Sequence, residues 1–228
     1  MLWNGLAILR QHRLLANPTQ SLAHLQNLSS PALAPFRKLT AALFFLTYTT
    51  AISGALVAGL DAGLIYNDFP WMGQSLIPPK SELLDPFYSH TPDRSDLAWR
   101  NMLENPVLVQ LDHRILATTT FTAIMGLWAF SRSRRMASLP MDARKGMLGV
   151  VHLVCLQVTL GITTLWYLVP TPLAAAHQAG ALALLSGVLV LGSRVWIPTR
   201  TLVQVKNAAG KIAKAEARAV RQKRVGKL

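Results

Sequence analysis

The sequence predicts an all-α membrane protein built as a four-helix transmembrane bundle. Three observations carry this expectation: long runs without charge, prolines that punctuate them, and a one-sided distribution of acids and bases. Of 228 residues, 51% are hydrophobic and only 14% are charged, with a mean hydropathy of +0.31. A soluble domain of this size carries about a quarter charged residues, and here the deficit is local. Leu39–Leu60, Ile115–Ser131 and the much longer Gly146–Ser193 contain no Asp, Glu, Lys or Arg. A spanning helix needs roughly 20 apolar residues, so the last run suits two spans. Pro170-Thr171-Pro172 supplies the reversal between them, since proline ends one helix and can open the next.

In chain order, residues 1–36 form an inner N-terminal segment. Met1–Leu9 is apolar but would cover only about 13 Å as a helix, under half a bilayer. Residues 1–60 hold no acid, which suits a mitochondrial transit peptide; the other reading is the end of a truncated span. The transmembrane domain is expected over 37–198, with spans at 39–60, 108–131, 146–169 and 172–194. Its outer loop, 61–106, opens with small and aromatic residues and is expected to fold over the membrane surface as a lid. Asp61, Tyr66, Asn67 and Phe69 are the candidate lid residues, while 80–96 reads as a connector. Asn105-Pro106 reads as an N-cap followed by proline at the first helical position, and Thr171-Pro172 repeats the device. Residues 199–228 form a basic tail, helical or disordered, suited to a solvated extension or to anionic lipid head groups.

Net charge is +13, and its placement sets the topology. Eight of the ten acids lie between Asp61 and Asp112, opposed only by Lys80, Arg94 and Arg100. Basic residues gather at 10–38, at 132–145 and beyond Arg194. Four spans put those three segments on one side, which is the positive-inside pattern. Basicity confined to loops and a tail beside spans argues against nucleic acid as partner. Cys155 is the only cysteine, so neither an internal disulfide nor a cysteine-based metal site is available.

Two of the six histidines stand apart. His113 lies seven residues past Pro106 and His177 five past Pro172, so both are roughly 8–10 Å along inward-running helices. Small residues follow one turn on, Ala117 after His113 and Gly180 and Ala181 after His177, where a flat macrocycle needs clearance. Arg114 and the polar outer loop stand where haem propionates would emerge. Ionisable groups inside a membrane are costly and default to a functional hypothesis, and histidine is a standard axial ligand of haem iron. The other reading is two interhelical histidines bonded to hydroxyls or backbone. Zinc is the poorer fit because it takes four ligands and only Asp112 is near.

The strings Gly54-Ala-Leu-Val-Ala-Gly-Leu-Asp-Ala-Gly-Leu-Ile-Tyr-Asn-Asp-Phe-Pro-Trp-Met-Gly73, Glu104-Asn-Pro…Gln110-Leu-Asp-His-Arg114 and Pro170-Thr-Pro-Leu-Ala-Ala-Ala-His-Gln178 strongly resemble the haem A synthase family of cytochrome oxidase assembly. The resemblance runs from about residue 37 to 197 and is to the second half of an eight-span, two-fold pseudo-symmetric fold. It implies that His113 and His177 are the bis-histidine ligands of a low-spin haem b. It also implies that the full enzyme oxidises the C8 methyl of haem O to a formyl group, drawing electrons from a ferredoxin-type donor on the basic side. The family's first half, with its own histidine pair and a nearby glutamate, has no counterpart motif here, and Met1–Leu15 resembles the inner end of the family's fourth span. The catalytic residues are accordingly not identified in this chain. The implied location is the mitochondrial inner membrane, multi-pass, with a bacterial plasma membrane as alternative. The partners are membrane lipid, haem O through the half not present, the electron donor, and a second copy of the chain if it is a homo-oligomer. The rival expectation is a non-enzymatic membrane cytochrome b; a third is a haem-free transporter or assembly scaffold.

Overall fold

The computed structural model describes residues 1–225, with side chains to Gln222. Among these the regular elements are helices: α1 Leu2–Ala16, α2 Pro18–Ser29, α3 Ala34–Gly59, α4 Lys80–Leu83, α5 Leu97–Glu104, α6 Pro106–Ser131, α7 Met141–Trp166, α8 Thr171–Val195 and α9 Thr199–Val225. The start of α6 follows the sequence signal: Asn105 accepts the Val107 amide at 2.9 Å and Pro106 opens the helix. At α8 the pattern shifts by one residue. Pro170 rather than Thr171 stands at the N-cap, with no side-chain cap, and Pro172 lies within the first turn.

Helices α3, α6, α7 and α8 form the bundle, in which α3 packs on α6 and α8, and α7 packs on α6 and α8. The histidine-bearing helices α6 and α8 therefore occupy opposite corners. Three stretches are long and apolar enough to cross a membrane: Pro31–Gly59, Met141–Trp166 and Thr171–Gln222, the last through α8. The fourth expected span, α6, does not meet that measure. Gln110, Asp112, His113, Arg114 and its run of threonines lower its hydropathy. Yet Thr118, Thr119 and Thr122 each return their hydroxyl to the carbonyl four residues back, at 2.7–2.8 Å. That back-bonding satisfies the hydroxyls inside the helix, so α6 stands beside lipid without unpaired donors at those positions.

The bundle is packed unevenly. Its buried apolar cluster includes Phe36 and Leu43 of α3, Ile124 and Leu127 of α6, Met147, Val150 and Val154 of α7, and Leu184, Val188 and Leu191 of α8. All of these lie toward one end. In the other half, residues 155–163 of α7 and 171–183 of α8 include no buried residue.

The well-packed end carries the basic segments. Arg10 of α1 donates to the backbone carbonyls of Ser193 and Arg194, the latter at 3.0 Å, and so caps the C-terminus of α8. Asn27 of α2 donates to Ser138 in the turn between α6 and α7 at 2.9 Å. The expected tail begins as a packed helix: α9 lies on α2 and α1, and Thr201, Val205 and Ala209 are buried at helical spacing, with Val205 against Leu14 and Leu25. Only beyond Ala209 is every described residue exposed.

The acidic loop covers the opposite end. The turn from α7 to α8 places Leu168 and Val169 in the left-handed region, at φ 60° and 56°. That is costly for non-glycine residues, on the order of 1–3 kcal/mol each. The Val169 amide donates to Thr164 at 2.8 Å, and Val169 rests against Gly63, where a Cβ would come within 3.0 Å of its side chain. Residues 80–96, expected to be a connector, are ordered around Asp96. The Ser89 hydroxyl, with the His90 amide and Thr91 hydroxyl, holds the Asp96 carboxyl well below the usual carboxylate range.

Candidate functional site

His113 is the eighth residue of α6 and His177 the seventh of α8, about 9–11 Å from the outer ends of their helices. Each imidazole is seated on a glycine of the preceding helix. A Cβ on Gly54 of α3 would lie 3.0 Å from His113 Cε1, and one on Gly161 of α7 would lie 2.9 Å from His177 Cε1. Neither gap admits a methyl group without movement of the ring. Both rings are partly buried.

The hydrogen bonds differ. His113 Nδ1 is 2.8 Å from the Ser53 hydroxyl, and that hydroxyl donates to the Thr50 carbonyl at 2.7 Å. With its proton given to Thr50, Ser53 is an acceptor for the imidazole. His113 then carries hydrogen on Nδ1 and keeps the Nε2 lone pair free. One turn inward, the Thr50 and Thr120 hydroxyls meet at 2.7 Å across the same helix seam. Hydroxyl links of this kind hold helices together where lipid supplies no hydrophobic drive.

His177 has no such partner: its Nδ1 is buried without a hydrogen bond. The nearby polar residue, Gln157 of α7, donates to the His177 backbone carbonyl at 2.8 Å, and its own Oε1 is buried and unpaired. Among the described residues neither histidine Nε2 makes a hydrogen bond to protein. A neutral imidazole whose Nε2 bears the lone pair can serve as a metal ligand, and neither Nε2 is occupied by protein.

Other expected site residues are distributed as follows. Gly180 lies against Gln157 and Leu160, where a Cβ would fall 2.2 Å from Gln157 Oε1; its smallness serves the α7–α8 seam. Ala117 and Ala181 are partly buried on α6 and α8. Arg114 is turned to the outer loop, donating to the Tyr66 carbonyl at 2.9 Å and the Trp71 carbonyl at 3.1 Å, with Phe69 5.9 Å from its guanidinium carbon. Gln110 donates to the same Tyr66 carbonyl at 2.9 Å. Arg114 thus fastens the loop to α6, and its Nε stays buried and unpaired. Asn67 ties the loop to the other hairpin, donating to Leu165 of α7 at 3.2 Å. Asp61 is exposed, at φ 49° just beyond α3. His12 and His152 are exposed away from the pair, His24 is partly buried in α2, and His90 lies in the loop.

Reasoning from sequence did not reach Ser53, Gly54, Gln157 or Gly161. The expected clearance lay along each histidine's own helix, whereas the seats lie on α3 for His113 and on α7 for His177. The available signal was positional: Gly54 and Gly161 each stand five residues before the end of their helices, at Gly59 and Trp166.

The sequence matches the family described as cytochrome oxidase assembly protein over residues 1–189. It is 44% identical to the haem A synthase COX15 of Saccharomyces cerevisiae over 198 residues, 87% of this chain and 40% of the relative. It is 46% identical to a haem A synthase–mitochondrial ferredoxin fusion protein of Schizosaccharomyces pombe over 86% of this chain and 32% of the relative. With the haem A synthase of Paracoccus denitrificans it shares 36% identity, over 73% of this chain and 40% of that protein. The chain thus spans about two fifths or less of the length of these relatives. No solved structure matches it. By the match over most of its length, the chain belongs to the cytochrome oxidase assembly protein family.

Proposed function

We propose that this chain is the haem-b-binding portion of a haem A synthase, in which His113 and His177 would hold the haem iron. The observation that carries the reading is the matched pair of seats. Two imidazoles at similar depth, on opposite corners of the bundle, each rest on a glycine and keep Nε2 free. Around His177, residues 155–163 of α7 and 171–183 of α8 include no buried residue, and an orphaned Nδ1 sits there. The proposed ligand set is the two imidazoles.

A haem bound there supplies reversible one-electron chemistry. The residues of this chain do the rest. Ser53 fixes the His113 ring and its tautomer, Gly54 and Gly161 set how closely the rings approach the neighbouring helices, and Arg114 with Gln110 holds the outer loop over the site. Arg114 also retains an unpaired Nε that a propionate could engage. With both histidines committed, the site would supply electron transfer, and the oxidation of haem O would need a second site outside these residues. A ferredoxin-type donor is supported by the fusion relative, whose name joins the two proteins. The mitochondrial inner membrane is the proposed location, given the yeast relatives.

The test is to express the 228-residue chain, supply haem, and record oxidised and reduced spectra. A six-coordinate, low-spin b-type spectrum is expected, with no conversion of haem O to haem A in cells lacking their own synthase. A high-spin spectrum would show that one histidine does not ligate. Haem A made by this chain alone would overturn the division into two sites.

A further inference from the structure

One helix of the outer loop is inside out. α5 directs its polar residues inward: Asn101 is 0% exposed and the flanking Asp96 and Asn105 are 6% and 1%. Asn101 accepts the Asp85 amide and donates to the Asp85 carbonyl, both at 3.0 Å, and also accepts from Asn105 at 2.8 Å. Asn105 donates to the Glu82 carbonyl at 2.7 Å. The opposite face is Trp99, Met102 and Leu103, exposed at 48%, 53% and 46%. A helix on a water-soluble surface shows the reverse pattern, and leaving such side chains in water forgoes about 25 cal/mol per Å² of apolar surface.

The position of α5 identifies the missing nonpolar medium. It joins α6 through Asn105, whose extended backbone at φ −85°, ψ 112° breaks the helix. α6 has 26 residues and is about 39 Å long, more than the roughly 30 Å of a hydrocarbon core. Its first turn therefore stands among the lipid head groups, and α5 stands with it. Aromatic residues are exposed nearby in the same layer. Phe87, on the turn that α5 packs against, is 81% exposed, and Trp166 and Tyr167 at the outer end of α7 are 59% and 69% exposed. Such rings favour the membrane–water interface. The one cation on α5, Arg100, is engaged by Asp96 and Glu104, and the loop is acidic overall, so anionic head groups offer it no attraction.

We propose that α5 is an interfacial anchor, inserting Trp99, Met102 and Leu103 into the outer surface of the phospholipid bilayer by apolar contact rather than by charge. The loop is then moored at both ends, to α6 by Arg114 and Gln110 and to the bilayer by α5. This holds whether or not the histidines bind haem.

The experiment places a nitroxide at Met102→Cys, and separately at Leu103→Cys, in the full chain with Cys155→Ser, in phosphatidylcholine discs. A label at Asp93→Cys, in the exposed part of the loop, gives the aqueous reference. Relaxation by oxygen, which concentrates in lipid, is compared with relaxation by a water-soluble nickel chelate. Labels at 102 and 103 should favour oxygen and resist nickel, the label at 93 should do the opposite, and high salt should change neither. Nickel access at 102 equal to that at 93 would overturn the proposal by leaving the face in water. Shielding from both reagents would overturn it by showing that protein, a second copy or another segment, covers the face. Loss of the oxygen preference in high salt would overturn the apolar mode.

Discussion

In the α3–α6 hairpin the His113 ring lies on Gly54 and its Nδ1 meets the Ser53 hydroxyl; in the α7–α8 hairpin the His177 ring lies on Gly161 and its Nδ1 has no side-chain partner. The repeated part is steric, a glycine five residues before the helix end that lets an imidazole enter the seam. The part not repeated is the hydrogen bond. A ring with a floor and an anchored nitrogen has one orientation, whereas a ring with a floor alone can turn about its Cβ–Cγ bond. Seat and orientation are therefore separate devices, and a ligand at the second hairpin has to orient His177 itself.

The shared feature breaks most visibly when a ligand is removed. His113→Ala and His177→Ala should each strip most of the haem, read as the haem-to-protein ratio after purification, because a low-spin site needs both rings. A low-spin spectrum surviving either change would mean that another group ligates.

Adding a methyl group under each ring sharpens the comparison. The gaps are nearly equal, 3.0 Å at Gly54 and 2.9 Å at Gly161, so sterics alone predict equal harm. The hydrogen bond predicts otherwise, since a fixed His113 cannot turn away from the new Cβ. Gly54→Ala should lower haem affinity more than Gly161→Ala in a titration of apoprotein, and the reverse order would show that Ser53 does not fix the ring.

Removing the bond itself should do less. Ser53→Ala makes the His113 seat resemble the His177 seat, removing the side-chain acceptor from a buried Nδ1–H. Haem should stay bound with affinity lower by about tenfold, the low end for loss of a group that orients a metal ligand. The reduction potential should rise, because an imidazole that no longer donates is a weaker electron donor to iron. Ser53→Thr should restore both, and an unchanged potential in Ser53→Ala would sink the assignment of roles.

The periodic features of this chain were legible in its sequence because a bilayer leaves few alternatives. Charge-free runs in Leu39–Leu60 and Gly146–Ser193 became α3, α7 and α8, and Asn105-Pro106 marked the first turn of α6. The gathering of basic segments at one end also held, since Arg10, Arg144 and Arg194 all donate to carbonyls there. Two elements meet protein in a way that composition and spacing do not reveal. Residues 199–228 read as a basic extension, helical or disordered; over the described part, Thr201, Val205 and Ala209 give it a narrow stripe that α1 and α2 cover. Gly180, read as clearance beside His177, also has Gln157 against it. Contacts between helices distant in sequence, such as Ser53 with His113 across 60 positions, leave no local pattern to read.

The smallest effect is expected at the one other histidine within the bundle helices, and it tests the contrast between the two ends. His152 is on α7, nine positions before Gly161, or about 14 Å away along the axis. It stands where the bundle is best packed, yet it is exposed, while Val150, Val151 and Val154 around it turn inward and are buried. Its ring therefore contributes neither to the core nor to the site. His152→Ala should leave haem content and spectrum unchanged and shift stability within about 0.5 kcal/mol, as for an ordinary exposed position. Val150→Ala, two residues away and 1% exposed, should lower the thermal midpoint measurably through the cavity it leaves while also sparing the spectrum. Haem loss from His152→Ala comparable to that from His113→Ala would mean that the ligand site extends into the packed half, and that the division of the bundle into a filled end and a receptive end is wrong.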